Sequence, residues 1–173
     1  HLGWDHIAVA GGSAGALSAA EFALRHPDRC SHLALIVPAA NLSNRDPVHF
    51  TALQRIAVEQ VLTSDAWFWA FATLAPGTLM RTLLATDPSL LGKVSLQERH
   101  RAGLIMDGLM PISRKIHGMR NDGFWAGTPA STAFERIVVP TLILSCEGGH
   151  IWLGHDADLA RDIRHFIRGA ARP

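Results

Sequence analysis

Two short segments of this chain hold residue types that can do chemistry. Near the start, Val9-Ala10-Gly11-Gly12-Ser13-Ala14-Gly15 sets a serine in a Gly-x-Ser-x-Gly pentapeptide. A serine becomes a useful nucleophile when its hydroxyl is exposed on a sharp strand-to-helix turn, and flanking glycines remove the crowding such a turn creates. Near the end, Gly148-Gly149-His150 sets an imidazole on a glycine loop. From there it can take the proton of Ser13 as the hydroxyl attacks an acyl carbon, then return it to the leaving group. His155 competes for that role, although it stands directly before Asp156 and a helical pattern, where a histidine more often makes a local turn or cap contact. The plainer use of the pentapeptide is a glycine turn whose serine caps the following helix.

The elements that must position these residues follow from hydrophobic spacing. His6 to Ala10 reads as a strand, Ala14 to Leu24 as a helix with Leu17, Ala20 and Leu24 on one face, and Leu33 to Val37 as a second strand closed by Pro38. Together they make one βαβ unit. A dinucleotide-binding loop fits poorly: its pattern needs glycine at position 13, and no acidic residue ends the second strand to hold a ribose.

From about Asn41 to Thr132 the pattern turns to helices without strands. Phe50, Leu53, Ile56 and Val61 share a face, Ser95 and Glu98 form a capping box before Arg99 to Leu109, and Pro111 and Asn121-Asp122-Gly123 punctuate the later helices. Gly127 to Pro129 marks the return to the core. Val138 to Ser145 is then a buried strand, and Leu159, Ile163, Phe166 and Ile167 give the last helix its apolar face. The expected organisation is 1–40 as the first part of an α/β core, 41–132 as an all-helical lid insertion, and 133–173 as the closing part of the core with its histidine loop. The fold class is α/β, a partial, mostly parallel sheet with the lid inserted.

Composition removes several function classes. In 173 residues, 48% are hydrophobic, 18% are charged and the formal charge is +1, which describes one domain able to bury a core. Basic residues are scattered rather than striped, so no nucleic acid partner is expected. Ten histidines show no His-x-x-x-His spacing and the two cysteines no Cys-x-x-Cys spacing, so neither a metal nor another cofactor is expected. Cys30 and Cys146 are too few for a disulfide framework, apolar runs are short, and no signal segment is expected. A soluble cytoplasmic protein is the expectation, with no membrane partner. The start at His1, almost directly in a core strand, leads us to expect that natural upstream sequence is absent. Trp67, Trp69, Met106 and Trp125 can line a pocket for a small apolar substrate, although the ordinary role of such residues is the core of the helical segment itself.

The run from Ile7 through Ala40, the helical insertion and the Pro140 to Phe166 tail resemble an α/β-hydrolase of the lid-bearing group that includes esterases, epoxide hydrolases and carbon–carbon hydrolases. The resemblance implies Ser13 as nucleophile and His150 as base, with Leu153-Gly154-His155-Asp156 similar to the family's tail. It implies Ala14 N–H as one oxyanion donor; the second is implied to come from a loop before the first strand, and that loop is expected to be missing here. A serine at this position argues against epoxide or haloalkane chemistry, which uses aspartate on this fold.

Similar proteins place the acid after the strand matching Thr141 to Ser145, then add a helix and strand before the histidine. Here only Cys146 and Glu147 separate Ser145 from Gly148. Glu147 is therefore one candidate acid and Asp46, after the preceding strand, another; the Asn-Asp-Gly setting of Asp122 is explained by a turn. The implied function is a serine hydrolase acting on an ester, amide-like or carbon–carbon bond. The alternative is a catalytically silent, truncated and internally deleted relative that binds a small molecule or partner.

Overall fold

Strand β1 (Ile7–Gly12) runs through both glycines that precede Ser13, further than its apolar pattern predicts. The extension follows from pairing: Gly11 and Gly12 stay in parallel register with Leu35 and Ile36 of β2 (Cys30–Ile36). The computed structural model describes residues 3–39, 51–127 and 132–169, with backbone alone for 53–55, 57–58 and 125–127. These residues divide between two compact units.

The first unit takes the described residues of His1–Ser43, Trp125–Cys146 and His155–Pro173. Its sheet has the order β1-β2-β3, all parallel, with β3 (Thr141–Leu144) pairing Leu33 to Thr141 and Ile36 to Leu144. Helix α1 (Gly15–Arg25) covers one face. Ala16, Ala19 and Ala23 pack with Leu33 and Leu35, while Val9 and Phe22 close the cluster. Because strand side chains alternate, His32 lies on the opposite face. There its ring meets the edge of Phe166 from the last helix, Asp156–Gly169. Leu159, Ile163, Phe166 and Ile167 are all half-buried, as their spacing predicts.

β3 is shorter than the expected run from Val138 to Ser145. Pro140 has no N–H to donate, so it contributes only its carbonyl, which accepts from the Leu33 N–H at 2.9 Å, and Val138 is left 80% exposed.

The second unit takes the described residues of Asn44–Phe124 together with Glu147–Gly154. Its helices are α2 (Ala52–Thr63), α3 (Asp65–Leu74), α4 (Pro76–Leu83), α5 (Leu96–Asp107) and α6 (Ile116–Gly127), which makes the helix Asp156–Gly169 α7. Ser64 and Ser95 cap α3 and α5 through the N–H groups of Trp67 and Glu98. One core joins Phe68, Leu79 and Ile112; a second joins Met80, Leu84, Leu90 and Ala102 to Ile151 and Leu153.

Two expectations for this unit are corrected. Asn121-Asp122-Gly123 is no turn: it lies inside α6, fully on the exposed side, where helical hydrogen bonding outweighs a local turn preference. Ile56 is exposed and does not share a buried face with Val61, which packs on the Phe68 core. Phe50, the side chain of Leu53 and the return at Pro129 lie outside the described residues.

The corner between β1 and α1 depends on Gly11. A Cβ there would meet Gly15 O at 2.4 Å and Ala16 Cα at 2.8 Å, whereas one on Gly15 meets nothing. Gly11→Ala is expected to destabilise the chain by about 1–3 kcal/mol, and Gly15→Ala to be neutral or stabilising by up to about 1 kcal/mol. Urea unfolding of the two variants checks the pair.

Candidate active site

Ser13 adopts φ of 51°, a left-handed conformation that a non-glycine residue avoids. Three backbone bonds hold it there. Its N–H donates to Ile36 O at 2.9 Å, and its carbonyl accepts from Ala16 N and Ala39 N, each at 3.1 Å. Within its own unit, Ser13 Oγ makes no hydrogen bond to a described residue. Nor does the serine cap α1: the N-cap is Ala14, with no side-chain cap bond. Ala14 is half-buried, and its N–H stands at the helix start, where the first donors have no intrahelical acceptor.

His150 sits on a short 3-10 turn (Gly149–Ile151) in the second unit, whereas Ser13 belongs to the first. The turn is packed rather than free to swing. Gly149 has φ of 61°, and a Cβ there would meet Ala85 O at 2.3 Å. The His150 N–H donates to Leu84 O at 2.9 Å, and the fully buried Thr86 hydroxyl bridges Leu84 O at 2.8 Å and Gly148 O at 3.1 Å. Half-buried, the imidazole is pushed below its ordinary value by desolvation, and a hydrogen bond to the Leu83 backbone opposes that shift. A neutral ring that gives one N–H to a carbonyl keeps its other nitrogen as an acceptor, the form a general base needs.

A second clamp, which the sequence pattern does not announce, holds the same segment. Arg101 donates to Ile151 O at 2.8 Å and Trp152 O at 3.3 Å while gripping Glu98 with two bonds of 2.9 and 2.6 Å. Glu98 also accepts the Gly154 N–H at 3.0 Å, and the Arg101 guanidinium, ahead of that bond, holds its carboxyl down to about 2. The capping box therefore works only in one direction: Ser95 caps Glu98, and the Glu98 side chain turns to the histidine segment. The Glu98/Arg101 spacing of one helical turn was the available signal; Thr86 offered none.

The other candidates fall in different places. Glu147 is exposed, in the same unit as His150. Asp46 and the side chain of Trp125 lie outside the described residues. His155 opens α7, where its Nδ1 meets Asp158 Oδ2 at 3.5 Å, a local contact at a helix start. Trp67 and Trp69 are both exposed, and Trp69 and Met106 line a cavity of about 410 Å³ within the second unit. Among the described residues, no group of His, Cys, Asp or Glu is arranged to hold a metal, and no helix is long and apolar enough to cross a membrane.

Comparison with known proteins gives three findings. A family model described as the alpha/beta hydrolase fold matches residues 1–152. Over 68 residues the chain is 40% identical to homoserine O-acetyltransferase of Natronomonas pharaonis, a match covering 39% of this chain and 16% of that protein's length. Two solved structures share the fold at 16% identity over 99% of this chain. They are ligand-free epoxide hydrolase CorEH, 71% covered with a TM-score of 0.50, and a membrane phospholipase A described as a bacterial virulence factor, 60% covered with a TM-score of 0.52.

Glu98 is only 14% exposed, so its charged hydrogen bonds are expected to matter. Glu98→Gln is expected to lower stability near neutral pH by about 1.5–3 kcal/mol. Because the folded carboxyl titrates near 2 instead of its ordinary 4.5, the contribution is complete above 4.5 and lost as pH falls toward 2. Urea unfolding at neutral and acid pH is expected to show this pH-dependent component in the unaltered chain and not in Glu98→Gln.

Proposed function

The chain belongs to the alpha/beta hydrolase fold family, and on that premise we propose that it is a serine hydrolase cleaving an ester, amide-like or carbon–carbon bond of a small apolar molecule. The observation that carries this reading is the backbone of Ser13. A left-handed non-glycine residue costs on the order of 1–3 kcal/mol, and Ser13 takes that conformation without capping α1. Partial identity with an O-acetyltransferase favours acyl transfer to oxygen over epoxide opening. The helices of the second unit serve, in this reading, as the lid. Cys30 and Cys146 form no disulfide, which suits a reducing cytoplasm.

In the proposed reaction the Ser13 Oγ–H proton passes to the free nitrogen of His150 as Oγ bonds the acyl carbon and the carbonyl pair moves to oxygen. Ala14 N–H donates to that oxyanion. Collapse breaks the bond to the leaving group, which takes the proton from His150. Water, deprotonated by His150 in turn, then cleaves the acyl–serine ester and restores Ser13. The Leu83 carbonyl, by holding the other ring N–H, fixes the tautomer, which is part of what a triad carboxylate does. Glu147 is the carboxylate proposed to balance the imidazolium, with Asp46 as the alternative.

One observation favours a second reading, a silent relative that binds without turnover: Thr86 and Arg101 fix the His150 segment within the helical unit, whereas Ser13 belongs to the other. A fluorophosphonate probe separates the two. The unaltered chain is expected to label and Ser13→Ala to remain unlabelled; a folded chain that never labels, or labels equally in both forms, refutes the serine mechanism. With any ester that is turned over, the depressed imidazole keeps its neutral form into mildly acid solution. The acid limb of kcat/KM is therefore expected below the ordinary histidine value of 6.5, and His150→Ala to lose about 10²-fold or more of the rate.

A further inference from the structure

The cavity of about 410 Å³ in the helical unit takes in Trp69 and Met106, two of the residues expected to meet a small apolar substrate, and adds two charged residues, Arg99 and Asp107, that the proposed acyl chemistry does not use. Its volume lies within the range of about 300–1,000 Å³ typical of small-molecule sites. One wall is a single stripe of α5, in which Arg99, Ala102, Gly103, Met106 and Asp107 recur at helical spacing. Trp69, Met80 and Met110 face it with apolar surface that adapts readily to a ligand's shape.

The two charges on this stripe do not neutralise each other. Arg99 and Asp107 stand about 12 Å apart along the helix at its ordinary rise, beyond the screening length of about 10 Å in 0.1 M salt. Among the described residues, neither side chain forms an ion pair or hydrogen bond with the protein. At the Asp107 end, the Lys115 ammonium bonds the Gly108 carbonyl. At the Arg99 end the guanidinium has no counter-ion among the described residues, and it lies in the early turns of α5, toward the positive end of the helix dipole.

The geometry points to a binding site for an elongated apolar molecule with an anionic head, such as a medium-chain carboxylate. The guanidinium fork takes the carboxylate, and the tail lies along Ala102, Gly103 and Met106. Orientation is set because Asp107 repels the head from the far end. This site shares Trp69 and Met106 with the proposed substrate pocket but needs no nucleophile, so Ser13→Ala is expected to bind as the unaltered chain does.

Decanoate, decan-1-ol and decyltrimethylammonium share one alkyl chain and differ only in head charge, which makes them suitable probes. Titrated calorimetrically into the full chain below their micellar range, decanoate is expected to bind tightest. Arg99→Ala is expected to weaken decanoate by about ten- to a hundredfold while leaving decan-1-ol unchanged. A Cβ on Gly103 meets open space, so Gly103→Phe fills the cavity without disturbing the helix and is expected to abolish binding of all three. Circular dichroism confirms that both variants fold. Equal or tighter binding of the cation, decanoate affinity untouched by either substitution, or no saturable binding at all overturns the proposal.

Discussion

The amino-terminal corner depends on one close approach between two pieces of backbone. Gly11, at the end of β1, lies so near the start of α1 that no side-chain carbon fits between them. This contact lets the chain reverse from strand to helix within two residues, and the reversal forces Ser13 into its left-handed conformation. The strain persists because Ser13 is over-determined by Ile36, Ala16 and Ala39. The same closeness continues along α1, where Ala16, Ala19 and Ala23 bring the helix axis near the sheet and leave Leu33 and Leu35 as the largest buried side chains of the cluster.

The segment from Glu147 to Gly154 is held by a different kind of force. Burying part of a charge pair is unfavourable unless its hydrogen bonds are completed. Here Glu98 and Arg101 meet that condition by spending their remaining capacity on main chain: Ile151 O, Trp152 O and Gly154 N. Ile151 and Leu153 then enter the core beside Met80 and Leu84. Polar and apolar anchors thus act on alternate residues of one short stretch, and His150 lies among them with its ring half-buried.

Features set by neighbouring residues were legible in the sequence. The serine turn, the βαβ order, the amphipathic final helix and the Ser95 cap all follow from local spacing, and the structure contains each of them. Expectations failed where a distant partner or continued helical bonding decided the outcome. Asn121-Asp122-Gly123 has turn chemistry, yet it continues α6. Val138 has strand character, yet Pro140 beside it cannot extend the ladder. Glu98 had a local donor, the Ser95 N–H, within reach and instead accepts from the Gly154 N–H, and Thr86 bonds a carbonyl 62 residues away, a pairing that no periodicity announces.

The conformation at position 13 is imposed by main-chain contacts, none of which involves the serine hydroxyl. The corner is therefore a socket whose shape is independent of the head group it presents. Asparagine or aspartate, which tolerate left-handed backbone better than most residues, would fit it with little change in fold, whereas valine or isoleucine would not. The head group at position 13 is thus decided by one side chain, on a frame already built by glycine and alanine.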